Sequence, residues 1–195
     1  MAKIILASGS PQRRQLMELA GITCEIMESG ADEAASGTSH SQACEIAMRK
    51  AQAVKERVQG DAFIIAADTL VVIDGRILGK PKDAAEAFDM LNALQGRKHT
   101  VITGVALIKK IGKAEQDINF ADTTDVYFRS LNQSEIKSYI ATDEPFNKAG
   151  AYGIQGQGAL LVERIEGDFY TVVGLPLSRL YTALLDMGYG FEAKK

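Results

Sequence analysis

The residues of this 195-residue chain that could do chemistry are charged and hydroxyl side chains at predicted junctions between strands and helices. They are Ser8, Ser10, Arg13, Glu33, Lys50, Asp68, Lys80 and Lys148. Cationic side chains outnumber carboxylates in this set. A site that gathers cations around one or two carboxylates, beside a helix N-terminus, suits a polyphosphate held with a divalent cation. A carboxylate in it can bind the metal or orient an attacking water.

Asp68 lies in an unusual place. It interrupts, with Thr69, the apolar run over residues 62–73, which predicts a strand buried on both faces. An ionised carboxylate in such a strand costs several kcal/mol unless it is paired, hydrogen-bonded or bound to a metal. The run therefore predicts a partner for Asp68. The alternative is a bend or strand end at which Asp68 caps a turn.

Lys50 points toward the protein on a predicted helix. Residues 42–58 have helical periodicity after a small, polar loop over residues 30–41. Lys50 falls on the apolar stripe of that helix, four residues from both Ile46 and Val54, which aims its ammonium group inward. The other members of the stripe are Ala43, Ala47, Ala51 and Val58.

The remaining pattern predicts strands and helices in mixed order. Residues 4–7 form a short strand, after which Ser10 caps a helix with Pro11 at its first position and Gly21 as its stop. Asp74-Gly75 is a tight-turn signal, and Asp83 with Glu86 predicts a capping box. Further strands are predicted over residues 99–108 and 123–129, and a helix that Asn132 and Glu135 cap runs to residue 140.

The inward faces of two more helices are also predicted. The helix after Asp83 carries Ala84, Ala87, Phe88, Leu91 and Leu94 inward, and a C-terminal helix after Pro176 carries Leu180, Leu184 and Leu185 inward. Residues 147–158 contain too many glycines for a regular element, so backbone there must approach something closely. The alternative is a bulged hairpin that leads into a strand over residues 159–165. Residues 191–195 are expected to fray.

Composition limits the function classes. The chain is 46% apolar and 24% charged, which allows one well-buried domain over residues 1–195. A net charge of -3 argues against general nucleic-acid binding. No apolar run approaches the roughly 18 residues of a membrane span, and no signal peptide is evident, so we expect a cytoplasmic protein without a membrane partner.

The sequence lacks the residue patterns that several kinds of active site require. Cys24 and Cys44 have no metal-ligand spacing and are expected to be free thiols. His40 and His99 lie in neither a nucleophile elbow nor an HExxH motif, which argues against serine hydrolases and zinc proteases. His99, at a strand start, is expected to be structural.

The ordered motifs resemble those of the Maf family of nucleoside triphosphate pyrophosphatases. They are LASGSPQRR near the N-terminus, ADT at residues 67–69, GKP at residues 79–81, and KAGAYGIQG followed by VVGLPL. The resemblance implies an α/β fold with a mixed twisted sheet, flanking helices and two lobes around a central cleft, similar to inosine triphosphate pyrophosphatases. It also implies hydrolysis of a nucleoside triphosphate to monophosphate and diphosphate with Mg²⁺ or Mn²⁺, and a homodimer.

The resemblance also assigns roles by position. Asp68 would accept the proton of the water that attacks the α-phosphorus and, with Glu33, would bind the metal. Arg13, Lys50, Lys80 and Lys148 would hold the triphosphate, and Ser8, Ser10 and the following helix amides would cradle phosphate oxygens. Arg14 is expected to be a solvated helix residue.

Three positions bear on the choice of base. Thr69 and Gln155 resemble the branch that hydrolyses dTTP and UTP, and a glutamine amide can present a donor and an acceptor to the O4 and N3–H edge of thymine and uracil. Gln12 departs from the arginine that often follows proline in the family. The alternatives are a 7-methylguanosine triphosphate pyrophosphatase, an enzyme for modified pyrimidine nucleotides, and a non-catalytic nucleotide-binding regulator of cell division.

Overall fold

The structure, a computed structural model, describes residues 2–190. Within that range the predicted α/β class is confirmed, because a central mixed sheet carries helices on its faces. The strands are β1 (Lys3–Leu6), β2 (Glu25–Ile26), β3 (Ala62–Ile73), β4 (Arg76–Leu78), β5 (Lys98–Ile111), β6 (Ala114–Phe128) and β7 (Val162–Glu166).

The sheet has the strand order β2-β1-β3-β5-β6-β7, with β4 paired to β3. Strand β1 is parallel to β2 and to β3, whereas β3–β4 and β6–β7 are antiparallel. Parallel strands need a crossover connection, so the chain must leave the sheet between β1 and β2 and again between β2 and β3. Each of these crossovers contains one of the first two helices.

The helices are short or of medium length. Between residues 144 and 161 the chain forms 3₁₀ turns at Glu144–Asn147, Ala149–Ala151 and Gly156–Leu161. The α-helices are α1 (Pro11–Leu19), α2 (Ser39–Lys55), α3 (Ala84–Leu94), α4 (Gln133–Ile140), α5 (Phe169–Val173) and α6 (Leu177–Asp186).

The described chain divides into two compact units. The first unit comprises residues up to Asp68, residues 104–121 and residues from Gly174 onward; the second comprises residues 69–103 and 122–173. Strands β3, β5 and β6 contribute residues to both.

In the first unit, α2 packs directly on the sheet. Its Ala47, Ala51 and Val54 are fully buried in a core cluster with residues of β1, β3 and β5. Gly104 allows this contact, since a Cβ there would lie 2.3 Å from the carbonyl carbon of Ala43. The close approach fixes the helix face that carries Lys50.

In the second unit, α3 and α4 cover the other part of the sheet. Leu91 and Leu94 of α3 and Ile136 of α4 pack in one cluster with Val126 and Phe128 of β6. The hairpin between β3 and β4 turns at Asp74 and Gly75, which both have positive φ, as the predicted tight turn requires.

Several predicted boundaries of helices and strands were wrong. Helix α2 begins at Ser39 and not at residue 42, because Thr38 caps it by accepting from the Ser41 amide, and it ends at Lys55 rather than residue 58. Strand β6 begins at Ala114, well before the predicted residue 123, because its polar first half pairs as an exposed extension. Strand β7 is Val162–Glu166 in place of residues 159–165, and α5 was not predicted.

Some predicted details also differ. Asp83 caps α3, but Glu86 accepts from the Lys82 amide instead of closing a capping box on Asp83. Ala84 is exposed and Leu185 is 46% exposed, so neither faces the core. The capping box at Asn132 is confirmed.

Two further expectations concern the chain as a whole. Among the residues that the structure describes, no helix combines the length and the apolar character needed to cross a membrane. The expected fraying of residues 191–195 lies outside the described residues.

Candidate functional site

The start of α1 places three predicted residues next to one another in the first unit. Ser10 caps the helix: its Oγ accepts from the Arg13 amide at 3.4 Å. The Ser8 Oγ, on the buried turn after β1, accepts from the Ser10 amide at 3.2 Å. Because Pro11 has no N–H and the Arg13 amide is engaged, the first helical turn offers fewer amides to a phosphate than predicted.

Arg13 is held from two sides. Its Nε donates to the Gly174 carbonyl at 2.8 Å, and its Nη1 donates to Ser8 Oγ at 3.3 Å. Burial lowers the pKa of the guanidinium, while the negative charges of Asp68 and Glu33 raise it. The side chain is therefore a fixed cation whose field reaches both carboxylates.

Lys50, Asp68 and Glu33 form the centre of the first unit's candidate site. Lys50 Nζ lies 2.7 Å from Asp68 Oδ1 and 2.7 Å from Glu33 Oε1. Lys50 and Asp68 are each 8% exposed, whereas the Glu33 side chain is 57% exposed. The predicted partner for Asp68 is thus confirmed, and the turn-capping alternative is wrong because β3 continues to Ile73.

Gln12 and Arg14, on either side of Arg13, differ in their surroundings. Gln12 is half-buried, and its Oε1 accepts from Ser10 Oγ at 3.2 Å. Arg14 is 65% exposed and pairs with Glu18 one helical turn away, which confirms it as a solvated helix residue.

Thr69 begins a chain of hydroxyl contacts in the second unit. Thr103 Oγ1 donates to the Thr171 carbonyl at 2.7 Å, and Thr69 Oγ1 lies 3.0 Å from Thr103 Oγ1. A threonine has one hydroxyl proton and a carbonyl can only accept, so Thr69 is the donor to Thr103. Toward any other group, Thr69 Oγ1 can therefore act only as an acceptor.

Lys80, Lys148 and Gln155 lie on two loops of the second unit. The Gly150 amide donates to the Gly79 carbonyl at 3.0 Å, which ties the loop of Lys80 to that of Lys148. Lys80 and Gln155 are exposed, while Lys148 is half-buried and donates to the Glu144 carbonyl at 2.6 Å.

Comparison with known proteins identifies the family. A family profile described as "Maf-like protein" matches residues 3–187. The chain belongs to this family. The motifs that carried the resemblance in the sequence therefore lie in a genuine Maf protein, at the positions described above.

Curated relatives cover almost the whole Maf chain. A protein of Bacillus cytotoxicus named dTTP/UTP pyrophosphatase is 47% identical over 192 residues, which is 97% of this chain and 98% of the relative. A Bacillus anthracis protein of the same name is 47% identical over 186 residues, 94% of this chain and 95% of the relative.

One solved structure shares the fold. The HAM1 protein from Coxiella burnetii superposes with a TM-score of 0.51 at 15% sequence identity, covering 95% of this chain and 100% of that one. At this identity the likeness concerns the fold alone.

The predicted site residues of this Maf protein are divided between the two units. The first unit joins Ser8, Ser10, Gln12 and Arg13 at one helix end and Glu33, Lys50 and Asp68 around one ammonium group. The second unit holds Thr69, Lys80, Lys148 and Gln155, of which Thr69 belongs to the hydroxyl chain and the other three to loops.

Sequence reasoning missed the residues that support these site residues. Thr103 and Thr171 are fully buried, and a threonine inside the apolar run over residues 99–108 was the available signal for Thr103. Nothing in the local sequence singled out Glu144 or Tyr139, and the motif VVGLPL contains Gly174 without indicating that its carbonyl holds Arg13.

Proposed function

We propose that this protein hydrolyses dTTP and UTP to the nucleoside monophosphate and diphosphate. The observation that carries the proposal is the buried Lys50–Asp68 pair beside Glu33, in the same unit as Arg13 and the start of α1. Fixed cations around carboxylates are what a triphosphate and its attacking water require. The names of the close relatives support the same reaction.

In the proposed reaction Asp68 is the proton acceptor. Lys50 engages Asp68 Oδ1, so Oδ2 would take the proton of a water whose oxygen forms a new bond to the α-phosphorus. The bond from the α-phosphorus to the bridging oxygen breaks, and that oxygen leaves with diphosphate.

Cationic side chains would offset the charge of the reacting phosphates. Arg13 is already held by Gly174 and Ser8, so little of its rotamer freedom is left to lose on binding. Lys80, Lys148 and the Ser8 and Ser10 hydroxyls would hold the remaining phosphate oxygens. Preorganised cations of this kind act most strongly where charge develops in the transition state.

The residues present fit a divalent cation such as Mg²⁺ or Mn²⁺. Glu33 Oε1 and Asp68 Oδ1 both lie 2.7 Å from Lys50 Nζ, so the two carboxylates are near enough to bind one ion beside the ammonium group, and carboxylate oxygens are ligands that both ions accept. Between residues 2 and 190 no group of three or more His, Cys, Asp or Glu could hold a metal, so phosphate oxygens and water would complete the coordination. Bound there, the ion would neutralise phosphate charge.

Three neutral groups would contact the base and sugar. Gln155 offers an amide donor and acceptor for the O4 and N3–H edge of thymine and uracil. Thr69 offers an acceptor to an N–H or O–H of the nucleoside, since its proton is given to Thr103. Gln12, neutral where the family often has arginine, would tune this preference.

A panel of nucleoside triphosphates tests the proposal. Purified protein with Mg²⁺ or Mn²⁺ is expected to release diphosphate, and no orthophosphate, from dTTP and UTP. The panel includes the purine nucleotides and 7-methylguanosine triphosphate. A strong preference for the methylated purine would contradict the base assignment, and absence of turnover on every nucleotide would contradict the reaction.

We further propose a single domain, a cytoplasmic location and a homodimer. The whole chain, residues 1–195, would act as one Maf domain in the cytoplasm, and the family match over residues 3–187 supports the single domain. A homodimer is the assembly implied by the family, and light scattering of the purified protein tests it.

A further inference from the structure

The glycine-rich segment 153–158 folds around one carboxylate, that of Glu144. Oε1 accepts from the Gly158 amide at 3.2 Å and from the Tyr139 hydroxyl at 3.0 Å. Oε2 accepts from the Gln157 amide at 3.1 Å. A single side chain thus satisfies two consecutive backbone amides and a tyrosine hydroxyl.

The other end of the segment is held through the same contact. The Tyr139 hydroxyl, which donates to Glu144, accepts from the Gly153 amide at 3.2 Å. Gln155 lies midway between the two attachment points and is itself exposed. The position of Gln155 therefore depends on the hydrogen bonds that Glu144 and Tyr139 make with backbone amides on either side of it.

The glycines are needed for this wrapping. Gly156 has φ +66, and a Cβ there would lie 2.9 Å from Glu144 Oε2. A Cβ at Gly158 would lie 2.0 Å from the Gly153 carbonyl oxygen and 3.1 Å from Glu144 Oε1. The backbone of the segment therefore closely approaches the Glu144 carboxylate and the carbonyl of Gly153, the segment's first residue.

Glu144 also fixes Lys148, which precedes the segment 153–158 in the chain. Its backbone carbonyl accepts from Lys148 Nζ, and the Lys148 stem packs against Gly153, where a Cβ would lie 2.7 Å from Cε. Both Lys148 and Gln155 therefore owe their placement to contacts that begin at Glu144.

We propose that Glu144 is a positioning residue that sets base selectivity by holding Gln155 in place. The inference rests on the proposed function, because it takes Gln155 as the group that contacts the base. Only a carboxylate can accept all three hydrogen bonds here. A glutamine has one oxygen, and its NH₂ would face backbone N–H donors.

The test measures kcat/KM for UTP and for ATP in Glu144→Gln, Gln155→Ala and the double variant. Glu144→Gln is expected to lower the UTP-to-ATP ratio about tenfold, and to change it less than about twofold when Gln155 is already alanine. A merely structural role would lower both kcat/KM values together and leave their ratio unchanged.

Two further variants serve as a control and as a substitute for Glu144→Gln. Glu135→Gln is the matched control, since Glu135 also accepts a backbone amide, that of Asn132, in the same unit but does not touch the segment. We expect it to lower the melting temperature without changing the ratio. Tyr139→Phe, which keeps the buried ring, should lower the ratio in the same direction if Glu144→Gln is too unstable to assay.

The outcomes separate this inference from the function itself. An equal effect of Glu144→Gln with and without Gln155 would overturn the positioning role while leaving the reaction intact. If Gln155→Ala left the ratio unchanged, the base assignment would fail, and the role of Glu144 with it. If no nucleotide were hydrolysed by the unaltered protein, the proposed function would fail first.

Discussion

The two units of this protein present different chemistry in their candidate residues. In the first unit these residues are mostly charged and include the buried pair Lys50–Asp68 with Arg13 beside it. The second unit contains Lys80 and Lys148 but also the neutral Thr69 and Gln155, which offer a hydroxyl and an amide group. Charge suits phosphates, which every nucleotide shares, whereas fixed neutral donors and acceptors can distinguish one base from another. Changes at the charged residues should therefore affect all nucleotides alike, and changes at Thr69 and Gln155 should affect their ratio.

The largest effect is expected at Asp68, the proposed proton acceptor. Asp68→Asn should lower kcat by roughly 10²–10⁴-fold for every nucleotide that the protein accepts, because the amide cannot take the proton. Steady-state rates on dTTP and UTP measure this. Asp74→Asn, an exposed position in the second unit, serves as the control. Comparable turnover of Asp68→Asn and the unaltered protein would remove the catalytic role.

Lys50 is expected to matter for folding as well as for turnover. Lys50→Met leaves the buried Asp68 carboxylate without its main counter-charge, which should cost about 3–5 kcal/mol of unfolding free energy. Adding Asp68→Asn should restore part of the loss, because the unpaired charge is gone. Urea unfolding measures both, with Lys55→Met as a partly exposed control on the same helix. A loss no larger than that of Lys55→Met would show that Asp68 does not depend on Lys50 for its counter-charge.

The second unit contains a neutral group that acid should disturb. Burial lowers the pKa of His99, which contacts Tyr152, to about 4. The His99 imidazole takes up a proton near pH 6.5 in the unfolded chain but only near pH 4 in the folded one. The contribution of neutral His99 to the unfolding free energy is therefore complete above pH 6.5 and is lost as the pH falls toward 4. The loss should be about 3 kcal/mol.

Unfolding free energies at pH 7 and at pH 4 test this expectation. His99→Gln, which keeps a partner for the Tyr152 hydroxyl, should flatten the profile by about that amount. An identical pH dependence in both proteins would assign the acid sensitivity to other groups.

The smallest effects distinguish the two adjacent arginines. Arg13→Ala should raise KM about tenfold for all nucleotides alike, because it removes a fixed cation. Arg14→Ala loses only an exposed pair with Glu18 and should change stability by less than about 0.5 kcal/mol and KM not at all. An equal effect of the two substitutions on KM would contradict the assignment of Arg13.

The sequence predicted the parts of the fold that depend on local pattern. The strand over residues 62–73 and the inward Lys50 were confirmed because apolar periodicity reflects burial directly. The exposed half of β6 was missed because its polar residues have no periodic core face. Leu185 was assigned inward from its type, although the helix turns it to solvent.

The candidate site could be predicted only where a residue was out of place in its surroundings. The carboxylate in a buried strand predicted an unnamed partner, the lysine on an apolar stripe was predicted to point inward, and the structure pairs the two. Glu144 gave no comparable signal and Thr103 only a weak one, because what they do depends on backbone amides and carbonyls brought together by the tertiary fold.

Hydrolysis of UTP in water enriched in ¹⁸O tests the central claim most directly. If the water that Asp68 activates attacks the α-phosphorus, mass spectrometry will find one ¹⁸O in UMP and none in diphosphate. The label in diphosphate, or release of orthophosphate in its place, would contradict the account.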